Sequence, residues 1–121
     1  MSPSTTILVI EDQASVRKLI AQVLEEAGYQ VYQAADGRQG LAQLHAHPVD
    51  LVLTDLEMPE MNGLDLILEL TRTFLDVKVI AMSGHSVEKL QTARLLGARQ
   101  TFVKPLNLLE LLRAIEYELQ H

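Results

Sequence analysis

The stretch Val49-Asp50-Leu51-Val52-Leu53-Thr54-Asp55 constrains this chain more than any other. A short apolar run ends in a carboxylate, and Pro59 and Asn62-Gly63 break regular structure soon after it. A run of this length suits a strand buried on both faces of a parallel sheet. Asp55 then stands at the carboxyl end of a central strand, the edge of an open α/β sheet where ligands bind. Alone, an Asp at that place would merely open a turn. Its companions elsewhere in the chain argue for more.

The flanking segments repeat one pattern. Thr6 to Ile10 reads as a first buried strand that ends in Glu11-Asp12. Val16, Leu19, Ile20, Val23, Leu24 and Ala27 follow at spacings of three and four, the apolar face of a helix, with Gly28 as its C-cap. Gln30 to Ala34 is a second strand, Asp36-Gly37 a turn, and Gly40, Leu41 and Leu44 fall on a second helix ended by His47-Pro48. After the third strand, a helix runs from about Leu64 to Phe74, and Val77 to Met82 forms a fourth strand ending in Ser83-Gly84. A fourth helix stops at Gly97. Thr101 to Val103 is a short fifth strand ending in Lys104-Pro105. Asn107 and Glu110 have capping-box spacing, and Leu108, Leu111, Leu112, Ile115 and Leu119 line the last helix. Five alternations of strand and helix imply an α/β domain, a parallel sheet with helices on both faces. The 121 residues suit one such domain with one core.

Parallel strands put their carboxyl ends on one edge, so Glu11, Asp12, Asp55, Ser83 and Lys104 gather there. Each has a plain alternative: Glu11 and Asp12, or Ser83, as helix caps, and Lys104 as a solvated charge. Together they describe chemistry. Three carboxylates at one edge repel each other and call for a cation, and hard oxygen ligands suit Mg²⁺. A cation invites phosphate, for which Lys104 supplies a second positive charge and Ser83 a hydroxyl donor. Asp55, in the middle, is placed to act as a nucleophile forming an aspartyl phosphate.

Composition narrows the alternatives. The net charge is −6, the ten Lys and Arg are scattered, and there is no Trp, so direct binding of nucleic acid by this domain is not expected. No apolar run is long enough to cross a bilayer, and Ile7 to Ile10 is too short for a signal peptide. Without cysteine there are no disulfides or thiolate metal sites. The expectation is a soluble, cytoplasmic domain that does not engage a membrane.

Glu11-Asp12, Asp55, Met58-Pro59-Glu60-Met61-Asn62-Gly63, Ser83-Gly84 and Lys104-Pro105, in this order and spacing, resemble the receiver domain of bacterial two-component response regulators. The resemblance covers essentially all of residues 1–121. It implies a flavodoxin-like, doubly wound sheet of five parallel strands in the order 2-1-3-4-5 with five helices. It also implies roles. Asp55 would be the phosphoacceptor, with Ser83 and Lys104 binding the phosphoryl group. Mg²⁺ would be held by Asp12 and Asp55, by Glu11 through a bound water, and by the backbone carbonyl of Glu57. A cis Lys104–Pro105 bond is implied too. The donor would be the phosphohistidine of a sensor histidine kinase or a phosphotransfer protein. The signal would pass to an output domain or downstream protein, and the fourth and fifth helix–strand segment could form a homodimer. Activity beyond signalling would be limited to weak self-phosphorylation from small donors and self-dephosphorylation.

Two features depart from or qualify that pattern. Thr101 stands where receivers usually carry Tyr or Phe, and Phe102 is expected on the opposite side of the strand. Glu57 and His85 each stand two residues beyond a pocket residue, where the resemblance implies a role in tuning the lifetime of the phosphoryl group; for His85 a plain loop histidine is an equal alternative. Two other readings compete: a receiver never phosphorylated that acts by docking alone, and a Mg²⁺-dependent phosphotransferase or phosphatase with Glu57 as second catalytic acid. A dinucleotide-binding unit is excluded because no Gly-rich turn follows the first strand.

Overall fold

The structure, a computed structural model, describes residues 5–58 and 61–121. Pro59 and Glu60, part of the expected turn, lie outside the described residues. The chain alternates without exception: β1 (Thr6–Ile10), α1 (Ala14–Glu26), β2 (Gln30–Ala34), α2 (Gly37–Ala46), β3 (Leu51–Asp55), α3 (Gly63–Thr73), β4 (Lys78–Ser83), α4 (Val87–Leu96), β5 (Gln100–Val103) and α5 (Leu108–Gln120). All five strands are parallel, in the order β2-β1-β3-β4-β5. This is the doubly wound, flavodoxin-like sheet that the resemblance implied.

The strand sequences explain the layering. β1 and β3 are apolar at both parities, and every residue in them is buried. Such strands are stable only with cover on both faces. Leu8, Ile10, Val52, Val79 and Ala81 pack beneath α2, α3 and α4, while Ile7, Val9, Leu51, Leu53, Ile80 and Met82 pack beneath α1 and α5. Fully burying one such Leu or Ile contributes about 1.5–3 kcal/mol. The edge strands β2 and β5 are only partly buried.

Local differences from the sequence-based expectation have physical causes. β3 begins at Leu51 rather than Val49, because Asp50 is used at the strand entrance: its carboxylate accepts from the Thr6 N–H at 2.8 Å. Asp36 is not half of a free turn but the N-cap of α2, accepting from the Gln39 N–H at 2.8 Å. On α1 the buried face centres on Ile20, Ala21 and Leu24, whereas Leu19 and Ala27 are exposed. Gly28 follows that helix at φ +99°, a conformation costly for any residue with a Cβ. Asn107 caps α5 by accepting from the Glu110 N–H at 3.1 Å.

One close approach aims the site. Asn62 caps α3 by accepting from the Leu64 N–H at 2.8 Å. A Cβ on Gly63 would lie 2.5 Å from the Leu56 Cα and 2.6 Å from its carbonyl oxygen. Only glycine lets α3 start against the segment that leaves β3 just beyond Asp55.

Candidate functional site

Backbone bonds tie the carboxyl ends of β1 to β2, β3 to β4 and β4 to β5, and β1 pairs directly with β3. The Glu11 N–H donates to the Ala34 carbonyl at 3.0 Å, Leu56 to Met82 at 2.9 Å, and Lys104 to Ser83 at 2.9 Å. Arg17 reaches back from α1 to the Glu11 carbonyl at 2.8 Å. These bonds bring Glu11, Asp12, Asp55, Ser83 and Lys104 to one edge, around a cavity of about 630 Å³ whose lining includes Asp12, Asp55, Glu57, His85 and Lys104.

None of the plain readings of these residues survives. Neither Glu11 nor Asp12 caps α1; its N-cap is Gln13, whose own N–H donates to Glu11 Oε2 at 3.1 Å. Ser86, not Ser83, caps α4, accepting from the Lys89 N–H at 3.0 Å. Lys104 is no free surface charge. Its ammonium lies 2.5 Å from Glu11 Oε1 and 3.4 Å from Asp55 Oδ1.

Three carboxylates meet. Glu11 and Asp55 are buried and Asp12 is exposed, and one oxygen from each lies within 4.8 Å of the others. Asp55 Oδ1 is buried and, among the described residues, has no hydrogen-bond partner. An unpartnered buried carboxylate oxygen is costly in water's absence and marks a place kept open for a ligand. Burial and the neighbouring Glu11 charge push the Asp55 carboxyl up to about 6. Lys104 and the backbone of Glu57 oppose that shift without cancelling it, and the Glu57 charge adds to it. Burial pulls the Lys104 ammonium down, but its bond to Glu11 and the Asp55 charge outweigh this and hold it above its usual range.

The arrangement decides the family. A model of the response regulator receiver domain matches residues 7–116. The chain belongs to the response regulator receiver family. It is 32% identical over 111 residues to sporulation initiation phosphotransferase F of Bacillus subtilis, covering 91% of this chain and 90% of that protein. Among solved structures, a CheY-like receiver domain from Methanospirillum hungatei superposes with a TM-score of 0.93 at 29% identity, over 98% of this chain and 95% of the other. The Thermotoga maritima response regulator TrrA, solved in complex with Mg²⁺–BeF, superposes at 0.85 with 29% identity, over 93% and 97%. The chain spans about half the length of a probable transcriptional regulatory protein of Picosynechococcus and of the response regulator GtcR of Aneurinibacillus migulanus, which it also matches. As a receiver, this chain has a phosphoacceptor function in response-regulator signalling.

Within this receiver, the Lys104–Pro105 peptide is cis. Thr101 pairs with Ala81 and so lies on the α4 side of the sheet, where the usual aromatic ring would be. Phe102 packs instead with the α1–α5 cluster, on the side opposite. His85 is exposed, and its backbone N–H donates to Ser83 Oγ at 3.3 Å. The sequence did not disclose what the Glu57 side chain does. It accepts from the Ser83 hydroxyl and the Gly84 N–H, which occupies it as an acceptor rather than leaving it a free acid. No spacing rule connects residues 57 and 83. Only the β3–β4 pairing brings them together.

Proposed function

We propose that Asp55 accepts a phosphoryl group from the phosphohistidine of a sensor histidine kinase or a phosphotransfer protein. One observation carries the reading: among the described residues Asp55 Oδ1 is buried without a hydrogen-bond partner, with Lys104 3.4 Å away. In the transfer, the N–P bond of phosphohistidine breaks as an Asp55 O–P bond forms, and the imidazole leaves with the bonding electron pair. Lys104 then faces the phosphoryl oxygens as a point charge and Ser83 is the hydroxyl donor.

The clustered carboxylates and the unpartnered Asp55 oxygen fit Mg²⁺. Asp12 and Asp55 would hold it directly, Glu11 through a water, and the Glu57 carbonyl would complete the protein's share. When bound, Mg²⁺ supplies neutralisation of charge on the phosphoryl oxygens. The same pocket supports slow self-phosphorylation from small donors and slow hydrolysis, in which water attacks phosphorus and the Asp55 carboxylate departs.

Residues 1–121 act as one cytoplasmic receiver domain that passes its state to an output domain or downstream protein. Val87 and Leu95 on α4, Val103 on β5 and Leu109 on α5 are exposed apolar side chains, which supports homodimerisation through that segment. Sedimentation of the phosphorylated chain should show a dimer, lost in Leu95→Glu; an unchanged monomer would dismiss that interface.

The deciding experiment exposes the pure chain to acetyl phosphate and Mg²⁺ and records intact mass. The expected result is one added phosphoryl group, absent with EDTA and in Asp55→Asn. No addition to the wild type would transfer the weight to a receiver that works by docking alone.

A further inference from the structure

We propose that the Glu57 carboxylate is a latch. It holds Ser83 and Gly84 in the unphosphorylated chain through the same donors that a phosphoryl group on Asp55 would use. The inference rests on the reading of Asp55 as phosphoacceptor and adds a step to it: phosphorylation has to displace Glu57.

Both carboxylate oxygens of Glu57 lie 2.8 Å from Ser83 Oγ. The Gly84 N–H donates to Glu57 Oε1 at 3.0 Å. A serine hydroxyl has one proton to donate, so that of Ser83 is committed to Glu57. Its lone pairs are engaged as well, accepting from the N–H of His85 at 3.3 Å and of Ser86 at 3.1 Å. Ser83 is buried, so solvent offers it little replacement. The contact joins the segment after β3 to the end of β4, across 26 residues of chain. It therefore sets the resting position of the loop that leads into α4.

Phosphorylation replaces the single charge of the Asp55 carboxylate with a phosphoryl group that carries about −1.5 to −2 charges and three acceptor oxygens. Glu57 follows Asp55 by two residues, and its charge already disfavours ionised Asp55. Two anions cannot share one O–H and one N–H at close range. The phosphoryl group repels the Glu57 carboxylate, Ser83 and Gly84 are released, and their donors turn to the new oxygens. The element thus has two states, each defined by the anion it binds. In the resting chain only the unlatched fraction can meet an incoming phosphoryl group, which lowers the apparent rate of uptake by that fraction. This device acts at Ser83, the switch residue left to a receiver with Thr101 in place of the aromatic.

The test uses the full chain and two readouts. Without any phosphodonor, NMR hydrogen exchange at the Gly84 amide should speed by roughly tenfold in Glu57→Ala, with Glu57→Gln between, as expected for loss of a charge-assisted bond. With acetyl phosphate and Mg²⁺, phosphoryl uptake in Glu57→Ala should be roughly five- to tenfold faster. That gain should shrink by more than half in a Ser83→Ala background. An equal gain there would assign the effect to simple charge repulsion at the donor and overturn the latch. Unchanged Gly84 exchange with normal wild-type uptake would overturn the latch alone. No uptake by the wild type would overturn the phosphoacceptor reading, and the displacement step with it.

Discussion

Asp55 and Glu118 are both buried carboxylates, at 2% and 6% exposure, and they are treated in opposite ways. Glu118, on α5, is fully used. It accepts from Arg99 Nε at 3.1 Å and from Gln100 Nε2 at 2.9 Å, and its backbone carbonyl accepts from the Lys78 ammonium. It ties the last helix to the entrances of β4 and β5. Asp55 stands at the opposite edge of the sheet with one oxygen lacking a hydrogen bond among the described residues and two other carboxylates beside it. A buried charge that is paired and hydrogen-bonded holds structure; one left short of partners is held for a ligand. The fold places stability at one end of its strands and reactivity at the other.

That contrast can be broken most visibly from the Glu118 side. Glu118→Ala leaves Arg99 and Gln100 without their acceptor, and urea unfolding should show a loss of about 2 kcal/mol, with Arg99's exposure limiting the cost. Acetyl phosphate uptake at saturating stability should be little changed. A smaller and opposite effect is expected from Asp55→Asn. Without divalent cation at pH 7.5, it should stabilise the chain by on the order of 1 kcal/mol, because it removes a charge crowded by burial and by Glu11. Destabilisation by Asp55→Asn would mean that the carboxylate is as structural as Glu118.

The finest distinction is in pH. Burial raises the folded-state pKa of Asp55 to about 6, so the folded chain holds that proton more tightly than the unfolded chain. The stabilisation from this proton is complete below the unfolded carboxyl value, about 4, and is lost as pH rises through about 6. In the absence of Mg²⁺, the stability difference between Asp55→Asn and wild type should therefore open between about pH 4 and 6 and stay level above. Thermal unfolding across that range reads it directly, and a flat difference would remove the electrostatic account of Asp55.

The same contrast separates what was legible from what was not. Asp55 could be found because a carboxylate at the end of a mostly apolar strand is conspicuous, and because Glu11-Asp12, Ser83 and Lys104 end their own strands. Glu118 could not be found. It sits in the helical pattern of α5 as one more charged residue among apolar ones, and its partners at positions 78, 99 and 100 follow no helical spacing with it. Leu19 misled for a related reason. Its spacing places it on the apolar side of α1, but α5 and the sheet cover only the side centred on Ile20 and Leu24.

The sequence by itself determined the order of strands and helices, the parallel sheet and the residues at the reactive edge. These follow from local periodicity and from the geometric rule that parallel strands end together. Only the tertiary structure decided how the charges at that edge are shared. It set Lys104 closer to Glu11 than to Asp55, left Asp55 Oδ1 without a hydrogen bond among the described residues, and closed the Glu57 side chain on Ser83 and Gly84. Such choices rest on distances of a few ångströms between strands remote in sequence, which no local pattern encodes.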